Sequence, residues 1–255
     1  MPPVRPGSRW FYPLLALAIS ATVYWGFYYT YFGPVVGGQY PEVSPAIHVH
    51  GWSFFIWYLL FPLQALLMAT GRRRLHFTLG GVSVALAAVM TFTGLLVASV
   101  RIDQGLSVPD PDEFTAFWKH FGLLIFYSLV LFAGFYAAAI ANRDRPENHK
   151  RLMIIASASA LPAALFRIIV GVSGYYWLQT PGWVMPAAFF LPCIFIVVGI
   201  IYDLAAFRSV HRVYLIGLPI VIGAYALGLG LAGTAAGEAV SRFVALFSDA
   251  FGFLY

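Results

Sequence analysis

The stretch from His50 to His76 most constrains what this chain can fold into. Between these two histidines, the run from Ser53 to Thr70 is almost wholly apolar and contains one strongly polar residue, Gln64. A helix rises about 1.5 Å per residue, so this run is about long enough to cross a hydrocarbon core of roughly 30 Å. The sequence therefore predicts a membrane-spanning helix, with a histidine near one membrane face and another histidine after the turn at the opposite face.

Similar apolar runs fill most of the chain. Of its 255 residues, 61% are hydrophobic and 10% are charged, a composition that soluble domains of this size do not have. We predict an all-α polytopic membrane bundle that forms a single transmembrane domain, with its second to fifth helices as the core. The tail, 232–255, is expected to lie along the membrane interface as an amphipathic helix. The seven predicted spans are 10–32, 46–69, 75–100, 114–141, 151–172, 183–207 and 213–231.

Basic residues fall in the short loops on one side of the predicted membrane. The positive-inside rule then places the N-terminus in the cytoplasm and the C-terminus outside. Because topology explains the net charge of +5, no nucleic-acid partner is expected. The basic loops contain Arg5 and Arg9, Arg72 to Arg74, Arg143 to Arg151, and Arg208 to Arg212.

The histidines fall at two predicted depths. His50 and His76 are 26 positions apart, His120 and His149 are 29 apart, and each interval covers one span and one turn. If the two hairpins pack side by side, His50 faces His120 near the outer face and His76 faces His149 near the inner face. Two facing neutral imidazoles can hold a b-type haem in a helical bundle. The alternative is that each histidine is an interfacial residue without a ligand role, and His48 is an alternative outer ligand.

Arg167 is a charged residue inside an apolar span, which usually points into the protein. It follows His149 by 18 residues, which on one continuous helix is five turns, or about 27 Å, so it would share the face of His149 at the outer level. There it could contact a haem propionate, or it could extend to the outer interface. Arg72, Arg73, Arg74 and Arg151 could contact inner propionates in the same way.

Two segments resemble the cytochrome b561 family of transmembrane electron carriers. His50-Gly51-Trp52 through Leu75-His76 is similar to the first core hairpin of that family, and Arg143-Asp144-Arg145-Pro146-Glu147-Asn148-His149 is similar to the turn before its last ligand. The resemblance covers 48–169. It implies two b haems held by His50, His76, His120 and His149, electron transfer from a quinol or ascorbate, and a place in a bacterial inner membrane. The chain also resembles uncharacterised bacterial membrane proteins.

Two other functions remain open from the sequence. The chain could be a non-catalytic accessory or scaffold subunit of a larger photosynthetic or respiratory membrane complex, with its aromatic residues in contact with lipid and partner subunits. It could also hold a metal ion at the outer face, with ligands from His48, His50, His120 and either Glu42 or Asp112.

Overall fold

The computed structural model describes residues 8–108, 113–175 and 179–255, which form helices and short connections without a β-strand among them. A π-helical turn, Tyr28–Phe32, joins the first two helices. Arg5, Asp110 and Asp112 lie outside the described residues. The α-helices are α1 Phe11–Phe27, α2 Gly33–Val36, α3 Pro45–Ala69, α4 Arg73–Ser107, α5 Glu113–Ala141, α6 Pro146–Ser159, α7 Pro162–Ser173, α8 Val184–Phe190, α9 Cys193–Phe207, α10 Arg212–Leu231 and α11 Ala235–Phe251.

Within the described ranges, six helical segments are long and apolar enough to cross a membrane. They are Phe11–Val36, α3, α4, Phe117–Ala141, Val184–Phe207 and α10. The pair formed by α6 and α7 passes the same test together, but its two halves are bent by 47°. The chain is thus an all-helical protein with the features of an integral membrane protein.

The α3–α4 hairpin forms close to where the sequence predicts it. The Ser44 side chain accepts a hydrogen bond from the Ala46 amide at 3.2 Å, and Pro45 occupies the first helical position, so α3 has a well-formed start. After α3, Gly71 adopts a φ of +78°, which a residue with a side chain rarely does. Helix α4 begins at Arg73 and continues to Ser107, seven residues beyond the predicted end, because its polar last turns remain helical.

The predicted fifth span, 151–172, is two helices. Pro162 has no amide hydrogen, so the Ala158 carbonyl cannot accept the usual helical bond and instead accepts one from Leu161 at 3.1 Å. Helix α6 also starts earlier than predicted, at Pro146, so His149 lies in the first turn of this helix.

Tyrosine hydroxyls from other helices bond to the carbonyls at this break. Tyr58 on α3 donates to the Ser157 carbonyl at 2.8 Å, and Tyr225 on α10 donates to the Ser159 carbonyl at 2.7 Å. Both tyrosines are buried. Backbone polar groups inside a membrane protein need partners from the protein itself, so these two bonds allow the helix to break within the bundle.

The C-terminal helix packs against the bundle. The Thr234 hydroxyl caps α11 by accepting from the Gly237 amide at 3.1 Å. Farther along, Phe247 and Phe251 lie with their ring centres 5.4 and 5.5 Å from that of Phe92 on α4. The predicted tail helix therefore forms, and one of its faces covers part of α4.

The helices pack in sequence order through the predicted core: α3 on α4, α4 on α5, and α5 on α6. The first helix adds to this core, because α1 packs on both α3 and α7, and α6 also contacts α9 and α10. The largest cluster of buried side chains extends from Leu15 on α1 to Tyr225 on α10. The core is thus wider than the four predicted helices.

Candidate functional site

The inner histidine pair is brought together at the ends of two hairpins. His76 lies in the first turn of α4, where its amide donates to the Arg72 carbonyl at 3.2 Å, and His149 lies in the first turn of α6, where its amide donates to the Arg145 carbonyl at 3.0 Å. Their ring centres are 6.4 Å apart, and the ring planes are at 89° to each other. The two helix starts therefore place both imidazoles, each partly buried, close together at the same end of the bundle.

Each ring of the inner pair is oriented by a backbone carbonyl. His76 Nδ1 lies 3.3 Å from the Gln64 carbonyl oxygen on α3, and His149 Nδ1 lies 2.9 Å from the Ala139 carbonyl oxygen on α5. A carbonyl oxygen can only accept, so both hydrogen bonds require the ring hydrogen on Nδ1. The Nε2 atom of each ring then keeps its lone pair, which is the arrangement found in metal-ligating histidines.

The ring-centre separation of the inner pair is one that two imidazoles could have if they shared one metal ion. An imidazole nitrogen lies about 2.0–2.1 Å from a first-row metal ion and roughly 1.2 Å from its own ring centre, so two trans ligands place their ring centres roughly 6.4 Å apart. The observed separation has the same value. Perpendicular ring planes are compatible with this arrangement, because each ring can rotate about its bond to the metal.

Gln64 adds an unsatisfied polar atom beside the inner pair. Its side-chain Oε1 is buried without a hydrogen-bond partner among the described residues, while its backbone oxygen bonds to His76. A Cβ on Gly80 would lie 4.0 Å from the Gln64 side-chain nitrogen, so glycine leaves space at this point of α4. The sequence identified Gln64 as the polar residue of its span but did not identify it as part of a site.

Of the predicted propionate contacts, Arg151 is already engaged by carboxylates. Its guanidinium bonds to both Asp203 oxygens and to Glu147 Oε2, and its side chain is 2% exposed. A haem propionate would have to displace one of these carboxylates. Arg72, Arg73 and Arg74 are exposed at the start of α4, next to the inner pair. The sequence did not identify Asp203 as the partner of Arg151, although it is the one carboxylate in the predicted sixth span.

The outer histidines are not brought together. A Cβ on Gly94 would meet both the His50 ring, at 3.5 Å from Cε1, and the Leu129 methyl groups, so His50 is level with Leu129 on α5. His120 precedes Leu129 by nine residues, which places it about 14 Å along α5 and half a turn around it. The exposed His120 side chain instead lines a cavity of about 100 Å³, with Lys119, Thr234, Glu238 and Ser241 among its neighbours.

His48 contacts aromatic residues. Its Nδ1 lies 3.3 Å from the Tyr31 hydroxyl, and its ring centre lies 5.9 Å from that of Tyr40. Across the described part of the chain, no three His, Cys, Asp or Glu side chains are grouped as metal ligands. The outer-face metal site is therefore not assembled by those of its predicted members that the structure describes, and Asp112 lies outside them.

Arg167 lies near the predicted outer end of the bundle, but the reasoning that predicted this position is wrong. Because α6 and α7 are bent by 47°, Arg167 and His149 do not lie on one straight helix. The prediction that five helical turns separate them on the same face therefore does not hold. Its Nε atom donates to the Thr30 hydroxyl at 3.0 Å, and Nη1 donates to the Ala163 carbonyl at 2.7 Å. The guanidinium also lies over the Phe27 ring, 4.4 Å from its centre.

The fold and the inner pair define an all-helical protein with several helices long enough to cross a membrane and a partly buried pair of histidines at the starts of two helices. Comparisons with protein-family models, curated proteins and solved structures found no match.

Proposed function

We propose that this chain is a membrane electron carrier that binds a b-type haem between His76 and His149. The observation that carries the proposal is that both Nδ1 atoms face backbone carbonyls while the ring centres are 6.4 Å apart. When bound, such a haem supplies one-electron transfer between two iron oxidation states. The resemblance of these segments to the cytochrome b561 family is consistent with the same role.

The residues around the pair have separate roles in this proposal. The Gln64 and Ala139 carbonyls hold the two rings in the tautomer that can ligate iron. The exposed Arg72, Arg73 and Arg74 supply positive charge for the propionates at the inner face.

An outer haem held by His50 and His120 remains a prediction. To bring His50 and His120 together, α5 would have to rotate about its axis by about half a turn and also shift along that axis. The proposal therefore depends on the inner pair alone. The basic loops support an orientation with this pair at the cytoplasmic side of a bacterial inner membrane. Side chains such as Leu14, Leu59 and Ile216, which are exposed in the isolated chain, would contact lipid.

An absorption spectrum of the purified protein, first oxidised and then reduced, tests this proposal. Reducible b-type bands are expected. A colourless protein that purifies with partner subunits would instead favour the accessory-subunit function, and a colourless protein with bound metal would favour a metal site.

A further inference from the structure

A patch of exposed arginines lies at the end of the bundle that contains His76 and His149. Their side chains form no hydrogen bond or ion pair with a described residue, and the exposed Asp144 beside them pairs with none of them. Their positive charge is therefore open to the surroundings of the protein. The members of this arginine patch are Arg72, Arg73, Arg74, Arg143 and Arg145.

Two other cations at this end of the bundle are neutralised within the chain. Lys150 Nζ lies 2.7 Å from Glu147 Oε1, and the buried Arg151 pairs with both Glu147 and Asp203. These carboxylates balance Lys150 and Arg151 and leave the arginine patch without a counter-charge of its own. Because Asp144 can offset only one of its cations, the patch keeps an excess of positive charge.

Two neighbouring helix starts bring the halves of the patch together. Arg72 immediately precedes α4 and Arg145 immediately precedes α6, and neither side chain caps its helix. Four residues after each arginine, the ring centres of His76 and His149 are 6.4 Å apart. The arginines before the two helices therefore form one patch, and the positive ends of two helix dipoles add to its charge.

Large apolar side chains follow the patch along α4. Leu75 is 50% exposed and Phe77 is 70% exposed, and α4 is long and apolar enough to cross a membrane. Arginines that precede an exposed apolar surface on such a helix are expected at the level of the lipid head groups. The phosphate groups of phospholipids lie at the same level.

We propose that the arginine patch binds the phosphate groups of anionic phospholipids. A guanidinium can donate two parallel hydrogen bonds to phosphate oxygens, and clusters of basic residues beside a membrane helix are typical of sites for anionic lipids. The exposed Leu75 and Phe77 would contact the acyl chains of the same lipids. This inference goes beyond the proposed function and does not depend on haem binding, because the patch is exposed on the surface of the chain.

Native mass spectrometry of the delipidated full chain tests the proposal, with phosphatidylglycerol and phosphatidylcholine titrated in the same detergent. The unmodified protein should bind phosphatidylglycerol more tightly. Arg72→Gln combined with Arg145→Gln removes one arginine from each half of the patch. The affinity for phosphatidylglycerol should fall about fivefold for each arginine, while the affinity for phosphatidylcholine stays unchanged and shows that the variant is folded.

Arg208→Gln combined with Arg212→Gln is the matched control. It removes the same charge from the exposed turn before α10, which is at the same end of the bundle because the His211 amide bonds to Asp203. This variant should keep most of the preference for phosphatidylglycerol. Equal affinity of the unmodified protein for the two lipids would overturn the proposal and leave an acidic soluble partner as the occupant. An equal loss in both double variants would also overturn it, since net charge alone would then attract the lipid.

Discussion

Arg151 and Asp203 form an ion pair inside the bundle, with Arg151 Nη2 2.5 Å from Asp203 Oδ1 and Nε 3.0 Å from Oδ2. Both side chains are at most 2% exposed. The His211 amide also donates to Asp203 Oδ2, at 3.1 Å. The pair therefore connects α6, α9 and the start of α10 at the inner end of the bundle.

Removing one partner of this pair should destabilise the protein strongly. Asp203→Asn leaves a buried guanidinium without its main counter-charge, and we expect a loss of about 3–5 kcal/mol in the free energy of unfolding. Glu147→Gln is the control. It also removes a carboxylate bonded to Arg151, but Glu147 is 55% exposed, so its loss should be at most about 1 kcal/mol. Denaturant unfolding in one detergent measures both, and equal shifts would contradict the assigned difference.

The break between α6 and α7 should depend on its two tyrosine hydroxyls. Tyr58→Phe and Tyr225→Phe each leave a backbone carbonyl without a partner inside the bundle, and each should lower the free energy of unfolding by about 0.6–2 kcal/mol. Tyr28→Phe serves as the exposed control and should be neutral within error. If all three variants unfold alike, the carbonyls at the break find other partners.

The close approach of α1 to α7 should tolerate only glycine at position 26. A Cβ on Gly26 would overlap the Ala164 backbone carbonyl, which cannot move as a side chain can. Gly26→Ala should therefore cost about 1–3 kcal/mol through overpacking. At Gly81 no atom lies within 4 Å of an added Cβ, so Gly81→Ala should be neutral or slightly stabilising. The thermal midpoints of the two variants give the comparison, and similar midpoints would refute this packing argument.

His211 should make stability fall in mild acid. Burial, followed by the nearby Arg151 cation, lowers the pKa of His211 in the folded protein. Its Nδ1 also accepts a hydrogen bond from the Val213 amide at 3.3 Å, which requires an unprotonated nitrogen. As pH falls below about 6.5, the unfolded chain takes up this proton first, so stability declines until the lower folded-state pKa is passed.

The variant His211→Asn isolates this contribution. Asparagine can still cap α10 with its side-chain oxygen, but it does not titrate in this range. The difference in thermal midpoint between pH 8 and pH 5.5 should therefore be smaller in the variant than in the unmodified protein. An identical or larger pH difference in the variant would exclude His211 as the cause.

The sequence predicted the position of residues along the helices better than their direction around them. Predicted span 46–69 agrees with α3, and the inner histidines lie together because each is within one turn of a helix start. Whether His50 and His120 meet depends on how α5 is rotated about its own axis. That rotation is set by packing at Gly94 and Leu129, which histidine spacing does not encode.

The broken helix shows a second limit of the sequence. Pro162 lies in a continuous apolar run, and proline in such a run is compatible with a kinked span or with a new helix start. The choice depends on Tyr58 and Tyr225, which are about 100 and 60 residues away along the chain and supply the hydroxyls for the freed carbonyls. Because the bend was not predicted, the expected alignment of Arg167 with His149 was also not obtained.

The reduced-minus-oxidised absorption spectrum of the purified protein, measured for the unmodified chain, His149→Leu and His120→Leu, tests the central claim most directly. We predict b-type bands in the unmodified chain, their loss in His149→Leu, and their retention in His120→Leu. A colourless unmodified protein, or bands that survive in His149→Leu but disappear in His120→Leu, would contradict haem binding by the inner pair.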